Sequence, residues 1–306
     1  MKKYKSFISI FIIYLIINMI ISPEIYIKQT FNGISAWALN VLPSVLPFIL
    51  LTKLLNTLGF TEKFSKIFAK PCKKIFNCPP VSSFVFLSSI VSGYPVGATM
   101  TADLYQSGKI SKSEAFRMCS FCSTSGPMFI LGAVGISMLK NAKYGYIILI
   151  SHILGAFING VFYRNLQAKN EDKLENKNKK QITKNLSDIV LDSSLSIISV
   201  GTIIAIFFVV IYSLSPLFNL LPMQLSCILE GIVEITKGCQ DIAYNFSGIL
   251  CLLATTFVIS FGGFSTILQS MTFLSKIQMP AKIFIFQKLS HALFSTALSL
   301  ILFFVI

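Results

Sequence analysis

Eight stretches of the chain contain no charged residue, and most of them are long enough to cross a lipid bilayer once. They cover residues 6–23, 29–52, 75–102, 118–139, 144–163, 193–229, 242–275 and 289–306. Only 12% of the 306 residues are charged, whereas about 25% is typical of a soluble domain. A membrane helix needs roughly 20 apolar residues. The sequence therefore predicts an all-α polytopic membrane protein, with breaks inside the two longest stretches.

The first apolar run follows three lysines and looks like a secretory signal, MKKYKSFISIFIIYLIINMIIS. It is longer than the apolar core of a typical signal peptide, and no small-x-small cleavage site follows it. We expect it to remain as the first membrane helix.

Basic residues cluster at the ends of the apolar stretches, as the positive-inside rule requires. A cytoplasmic N-terminus leaves only four of the 26 Lys and Arg on the external side, namely Lys28, Lys140, Lys143 and Lys237. The net charge of +14 is thereby explained by membrane orientation, and nucleic-acid binding is not expected.

Two stretches are interrupted by residues that break helices. Residues 81–106 contain Ser92-Gly93 and Pro95, and residues 214–241 contain Pro216 and Pro222. Such residues suit a re-entrant hairpin, which returns to the side it entered from, better than a continuous helix. A single crossing by 81–106 would also place the basic loop that follows it outside.

This topology predicts four regions, two of which repeat one another. Residues 1–32 form the N-terminal membrane helix and an external loop, and residues 164–188 form a basic cytoplasmic linker. Two regions share one order of elements, namely helix, hairpin, helix and helix, and they are residues 33–163 and 189–306. They start from opposite sides of the membrane. That is an inverted-topology repeat, a common transporter design.

Sequence matches between the halves support the repeat. Gly93 aligns with Gly231 and Asp103 with Asp241 at an offset of 138 residues, and Ser151-His152 aligns with Ser290-His291 at 139. With a two-residue gap, CSTSGPMF aligns with SFGGFSTI. Four matches in order with nearly constant spacing indicate duplication.

Clusters of Gly, Ser, Thr and Pro mark where broken helices would expose backbone N–H groups to an anion. The predicted substrate-binding residues are Ser92, Gly93, Tyr94, Pro95, Gly97, Thr124, Ser125, Gly126, Gly262, Gly263, Ser265 and Thr266. The alternative is that these small residues only permit close helix packing.

Four ionisable residues are candidates for coupling or gating: Glu230, Glu234, His152 and His291. Carboxylates at membrane depth are costly and usually functional. The alternatives are that the glutamates pair with Lys237 near the outer interface and that the histidines are hydrogen-bonded packing residues.

No signature of enzymatic chemistry is present. The chain has no Walker motif, metal-ligand cluster or GxSxG elbow, so neither a cofactor nor a metal is expected. Cys119 and Cys122 form a CxxC on an apolar helix, which indicates packing rather than redox chemistry.

Five segments resemble the family of sporulation integral membrane proteins called YlbJ: SGYPVGATMTADLYQSGKIS, EAFRMCSFCSTSGPMFILGAVG, EGIVEITKGCQDI, FGGFSTILQS and KLSHAL. This family belongs to the nucleoside-recognition Gate group, whose architecture is similar to concentrative nucleoside transporters. The resemblance implies transport of dipicolinate, a small planar dianion, out of the mother-cell cytoplasm through the outer forespore membrane.

The same interpretation predicts four partners: a small anionic substrate, the lipid bilayer, a second copy of the chain and other sporulation membrane proteins. A nucleoside-like solute and a non-transporting scaffold for spore assembly are the alternative functions.

Overall fold

The computed structural model describes residues 2–67, 69–168 and 185–305, and the regular elements in these ranges are all helical. Within them, four segments are long and apolar enough to cross a membrane: Ala142–Phe162, Leu186–Phe218, Gly248–Ile277 and Ala281–Val305. Two sharply bent helix pairs raise the total to six if each pair is one span. The predicted all-α class is confirmed, and the chain is an integral membrane protein.

The first half contains nine α-helices and two π-helical segments within the described residues. They are α1 (Lys2–Ile21), α2 (Pro23–Ala36), π1 (Trp37–Val41), α3 (Leu42–Thr57), α4 (Phe60–Ile67), α5 (Ala69–Phe76), α6 (Val81–Ser92), α7 (Val96–Gln106), α8 (Lys112–Cys119), π2 (Met128–Met138) and α9 (Ala142–Phe162). Residues 23–32, predicted as an external loop, are instead helical, because Pro23 at the first position starts α2 and α2 packs against the long helix of the second half.

The second half follows with α10 (Leu186–Phe218), α11 (Met223–Val233), α12 (Ile235–Asn245), α13 (Gly248–Phe261), α14 (Gly263–Leu274), a 3₁₀ turn (Ser275–Ile277) and α15 (Ala281–Val305). Pro216 lies inside α10, so the second hairpin starts at Met223 rather than near residue 214. Of the linker predicted at 164–188, residues 169–184 lie outside the described residues.

Both predicted hairpins are broken helix pairs. Helices α6 and α7 pack together and are separated by residues 93–95, while α11 and α12 pack together and are separated by Glu234 alone. The backbones of Gly231 and Gly238 touch, because neither residue has a side chain to hold the arms apart. The return of each hairpin to its own side of the membrane stays a prediction.

Two further helices are interrupted, as the glycine clusters predict. Residues 120–127 separate α8 from π2, and Gly262, with a left-handed φ of 86°, separates α13 from α14. Ser265 and Thr266 were expected to belong to the second interruption, but both lie within α14.

A hairpin, a broken helix and a long helix thus follow one another in both halves. The hairpin arm α7 packs against α14, and the hairpin arm α12 packs against π2, so each half contributes a hairpin to the broken helix of the other. Helices α9 and α15 also pack along each other. The inverted orientation of the two halves stays a prediction.

Helix α15 begins at Ala281, eight residues before the predicted start at residue 289. Lys288, which the charge distribution assigns to a cytoplasmic loop, is therefore inside a candidate membrane helix and only 2% exposed. Lys282, near the start of the same helix, is exposed.

Candidate substrate site

A pocket opens between the hairpin tips and the first helix break. Its cavity volume, counted as the space that water-sized molecules can reach, is about 60 Å³. Both halves of the chain line it. The predicted substrate-binding residues on its wall are Ser92, Gly93, Tyr94, Ser125, Gly126 and Thr266.

The other predicted substrate-binding residues lie behind this wall: Pro95, Gly97, Thr124, Gly262, Gly263 and Ser265. Thr124 Oγ1 is 3.0 Å from Ser89 Oγ, which ties the first break to hairpin arm α6. Gly97 packs against the carbonyl of Cys122 so closely that no side chain would fit. These two residues support the wall.

The tip of the first hairpin reaches the pocket through two glycines. Gly93 ends α6 with a φ of 78°, and a Cβ added there would lie 2.7 Å from the backbone nitrogen of Gly126. The close contact places the break after α6 beside the break before π2. Both stretches of non-helical backbone therefore face the same space.

Gly263 has the corresponding structural role in the second half. A Cβ at Gly263 would lie 3.1 Å from both Gly231 O and Ile235 N, so this glycine admits the tip of the second hairpin. Of the two glycines predicted to bind substrate, Gly126 lines the pocket, whereas Gly263 is absent from its wall and Thr266 of the same helix reaches it.

Two buried polar atoms on the pocket wall have no hydrogen-bond partner among the described residues: Ser92 Oγ and Glu234 Oε1. Glu234 is fully buried at the break of the second hairpin, and its other oxygen, Oε2, accepts a hydrogen bond of 2.8 Å from the backbone N–H of Lys237. It is thus the N-cap of α12, and its second carboxylate oxygen is buried without a hydrogen-bond partner among the described residues.

Glu230 is placed differently, although it lies only one turn earlier in the sequence. Its carboxylate is 3.8 Å from Lys237 Nζ, and the same ammonium pairs with Asp241. Glu230 is absent from the pocket wall. The alternative of pairing with Lys237 therefore applies to Glu230 and not to the buried Glu234.

The two histidines form one buried cluster between α9 and α15, with ring centroids 4.6 Å apart. His152 Nε2 accepts from the backbone N–H of Ser125 at 2.8 Å, so its Nδ1 carries the proton and donates to Ser260 Oγ at 2.8 Å. His291 Nε2 donates to the carbonyl of His152. Both rings hold backbone in place rather than line the pocket.

Polar residues of α9 and α15 also satisfy the carbonyl groups freed at the first break. Asn159 Nδ2 donates to Ser120 O at 2.7 Å, Gln287 Nε2 donates to Phe116 O at 2.9 Å, and Lys288 Nζ donates to Ser123 O at 2.8 Å. Because unsatisfied buried carbonyls are costly, these side chains keep the irregular segment stable inside the protein.

Lys288 reaches toward the pocket as well. Its ammonium donates to the hydroxyl of Tyr94, a pocket residue, and lies 4.7 Å from the centre of the same ring. The charge pattern misplaced this lysine. The segment KLSHAL, in which Lys288 is three residues before His291, was the signal that could have assigned it to the helix.

Gln269 is a pocket residue that the sequence analysis did not predict. It lies within the segment FGGFSTILQS and is the polar residue four positions after Ser265 on α14. Of the seven cysteines, all are buried and free, which agrees with packing as the role of the CxxC. No cluster of possible metal ligands occurs in the residues that the structure describes.

Comparison with known proteins points to one family. The Gate family model, described as nucleoside recognition, matches residues 38–142. The sporulation integral membrane protein YlbJ of Bacillus subtilis is 29% identical over 96% of this chain and 82% of its own length. The resemblance to the YlbJ family is confirmed. No solved structure matches the chain.

The Gate match covers the first hairpin and the first break, and so includes the pocket residues from Ser92 to Gly126. It does not extend to Glu234, Gln269 or Lys288. The YlbJ similarity, in contrast, spans both halves.

Proposed function

We propose that this chain is a transporter that moves a small anionic metabolite, dipicolinate, from the mother-cell cytoplasm across the outer forespore membrane during sporulation. The single observation that supports transport most is the pocket. It lies where two broken helical hairpins and an interrupted helix meet in an integral membrane protein, which is where transporters of repeat design bind substrate.

The composition of the pocket wall fits a small planar ligand with polar ends. Val91, Phe129 and Ile204 provide apolar surface, while Ser92, Gln269 and Tyr94 provide hydrogen-bonding groups. The sporulation context and the substrate come from the YlbJ resemblance. The relative's name supports a role in sporulation and a place in the membrane.

Glu234 is the proposed coupling residue. An ionised carboxylate on the pocket wall would repel a dianion, so we propose that Glu234 takes up a proton or a cation before the substrate binds. Coupling of substrate transport to uptake of the proton or cation would then follow from electrostatics alone. In this proposal His152 and His291 position the first break, and Glu230 holds Lys237.

A nucleoside-like solute is the second candidate substrate. The Gate match supports it, since its description is nucleoside recognition and it includes the pocket wall of the first half. A membrane scaffold for spore assembly is the third possibility, and it predicts no uptake at all.

The proposed function is tested by uptake into proteoliposomes and by complementation of a deletion strain. We expect purified protein to carry labelled dipicolinate into vesicles, and we expect uridine to compete poorly. Spores of the deletion strain should contain little dipicolinate with an intact coat. A coat defect with normal dipicolinate would favour the scaffold, and uptake of uridine without dipicolinate would favour the nucleoside.

A further inference from the structure

Lys288 is a buried amine with no acidic partner among the described residues. The ion pairs found among the described residues do not include it, and it lies in a candidate membrane helix. Its three N–H donors are directed at Tyr94 Oη, Ser123 O and His291 Nδ1. All three acceptors are neutral groups. Burying the protonated amine alone is unfavourable, and a bound anion would compensate its charge.

Tyr94 connects this charge to the pocket. Tyr94 is one of the residues that line the pocket, and its hydroxyl oxygen accepts from Lys288, so the hydroxyl proton is directed elsewhere. Within the described residues this hydroxyl has no hydrogen bond other than the one with Lys288. Gly262 leaves room for it, since a Cβ there would lie 3.1 Å from Tyr94 Oη.

Two backbone N–H groups at the helix breaks are already in use. The N–H of Ser125 donates to His152, and the N–H of Lys237 in the first turn of α12 donates to Glu234. Neither helix break therefore offers these donors to a substrate. Lys288, in contrast, contacts the pocket residue Tyr94 through its Nζ.

We infer that Lys288 and Tyr94 form the carboxylate-recognition pair of the pocket. The Tyr94 hydroxyl donates to a ligand carboxylate, and the Lys288 ammonium behind it polarises that hydroxyl and supplies the counter-charge. The inference rests on the proposed function for the identity of the ligand. The competing role for Lys288 is purely structural, as a cap for the Ser123 carbonyl at the first break.

Equilibrium binding to the purified full-length protein separates these roles. The probes are dipicolinate, its monocarboxylate pyridine-2-carboxylate, and the uncharged pyridine-2,6-dicarboxamide. We expect Lys288→Met and Tyr94→Phe each to weaken dipicolinate binding by roughly 10- to 100-fold, the value of a hydrogen bond to a charged group. Binding of the diamide should change by less than about threefold, because it needs no counter-charge.

Matched controls are Lys282→Met, which removes an exposed lysine of the same helix, and Tyr146→Phe, which alters an exposed tyrosine on α9. Both should bind all probes as the wild type does. Tyr94→Phe keeps the ring and the fold, so the inference stays testable if Lys288→Met fails to accumulate.

The outcomes distinguish this inference from the proposed function. If the wild type binds dipicolinate and neither variant loses affinity, or if dipicolinate and diamide weaken equally, the recognition pair is rejected and the proposed function stands. If only the monocarboxylate binds, and does so through Lys288, the pair stands and the substrate is wrong. If the wild type binds only the diamide, or binds none of the probes, both are rejected.

Discussion

Gly93 and Gly126 bring two helix breaks into contact: a Cβ built on Gly126 would lie 3.2 Å from the backbone nitrogen of Gly93. The atoms it would meet belong to backbone, which cannot rotate away as a side chain can. Without this contact, the backbone groups of the two breaks would lie in separate places. The close approach is what joins them into one wall of the pocket.

Replacing Gly126 with valine should lower the membrane abundance and the melting temperature of the purified protein. The added carbons force the hairpin tip away, and overpacking of this kind costs about 1–3 kcal/mol. Gly132→Val is the control, because Gly132 lies in π2 with no atom within 4 Å of an added Cβ. An abundant, fully active Gly126→Val protein would contradict the packing of the two tips.

Replacing Gly263 with valine should destabilise the protein by more than backbone strain alone. Gly263 has a φ of 70°, and its Cβ would also meet the second hairpin tip. Gly59→Val isolates the strain, since Gly59 has a φ of 73° but no atom within 4 Å. The melting temperature of Gly263→Val should fall below that of Gly59→Val. Equal melting temperatures would show that the contact with the second hairpin tip does not contribute to the loss of stability.

Glu234→Gln should abolish coupled uptake in proteoliposomes, whereas Glu230→Gln should retain most of it. Glu234 is a pocket residue with one unpaired carboxylate oxygen, while Glu230 is paired with Lys237. Uptake driven by an imposed pH gradient is the measurement, with Glu24→Gln on an exposed part of α2 as control. Loss of uptake in Glu230→Gln together with full uptake in Glu234→Gln would reverse the assignment.

Asn159→Leu should destabilise the protein without changing the chemistry of the pocket. The substitution removes hydrogen bonds to Ser120 O and Gln287 O and leaves buried carbonyls unsatisfied, at about 1–3 kcal/mol each. A lower melting temperature in detergent, with unchanged ligand affinity in the protein that remains folded, is the expected result. Asn32→Leu, an exposed position, serves as control and should be neutral.

Cysteines introduced at Ser107 and Lys140 should be labelled from opposite sides of the membrane by an impermeant maleimide. Both positions are exposed, and the basic-residue pattern puts Ser107 in the cytoplasm and Lys140 outside. The native cysteines are all buried, so background labelling should be low. External labelling at Ser107 would rule out a first hairpin that returns to the cytoplasmic side.

Much of the fold is readable from the sequence because its signals act locally. An uncharged run of sufficient length predicts a membrane helix whatever surrounds it, and Gly and Pro interrupt helices through their own backbone geometry. The breaks at Gly93, Gly126 and Gly262 were located this way. The boundaries at Pro23 and Pro216 were not, since both prolines are accommodated in helices.

The tertiary structure alone decided which of these residues face the substrate space. Lys288 and Tyr94 are 194 residues apart, and nothing local to either one reports their contact. Glu230 and Glu234 look equivalent in the sequence, yet the break of the second hairpin turns one to a lysine and the other to the pocket. Burial and partner choice depend on how distant helices pack, whereas charge spacing and helix breaks depend on neighbouring residues only.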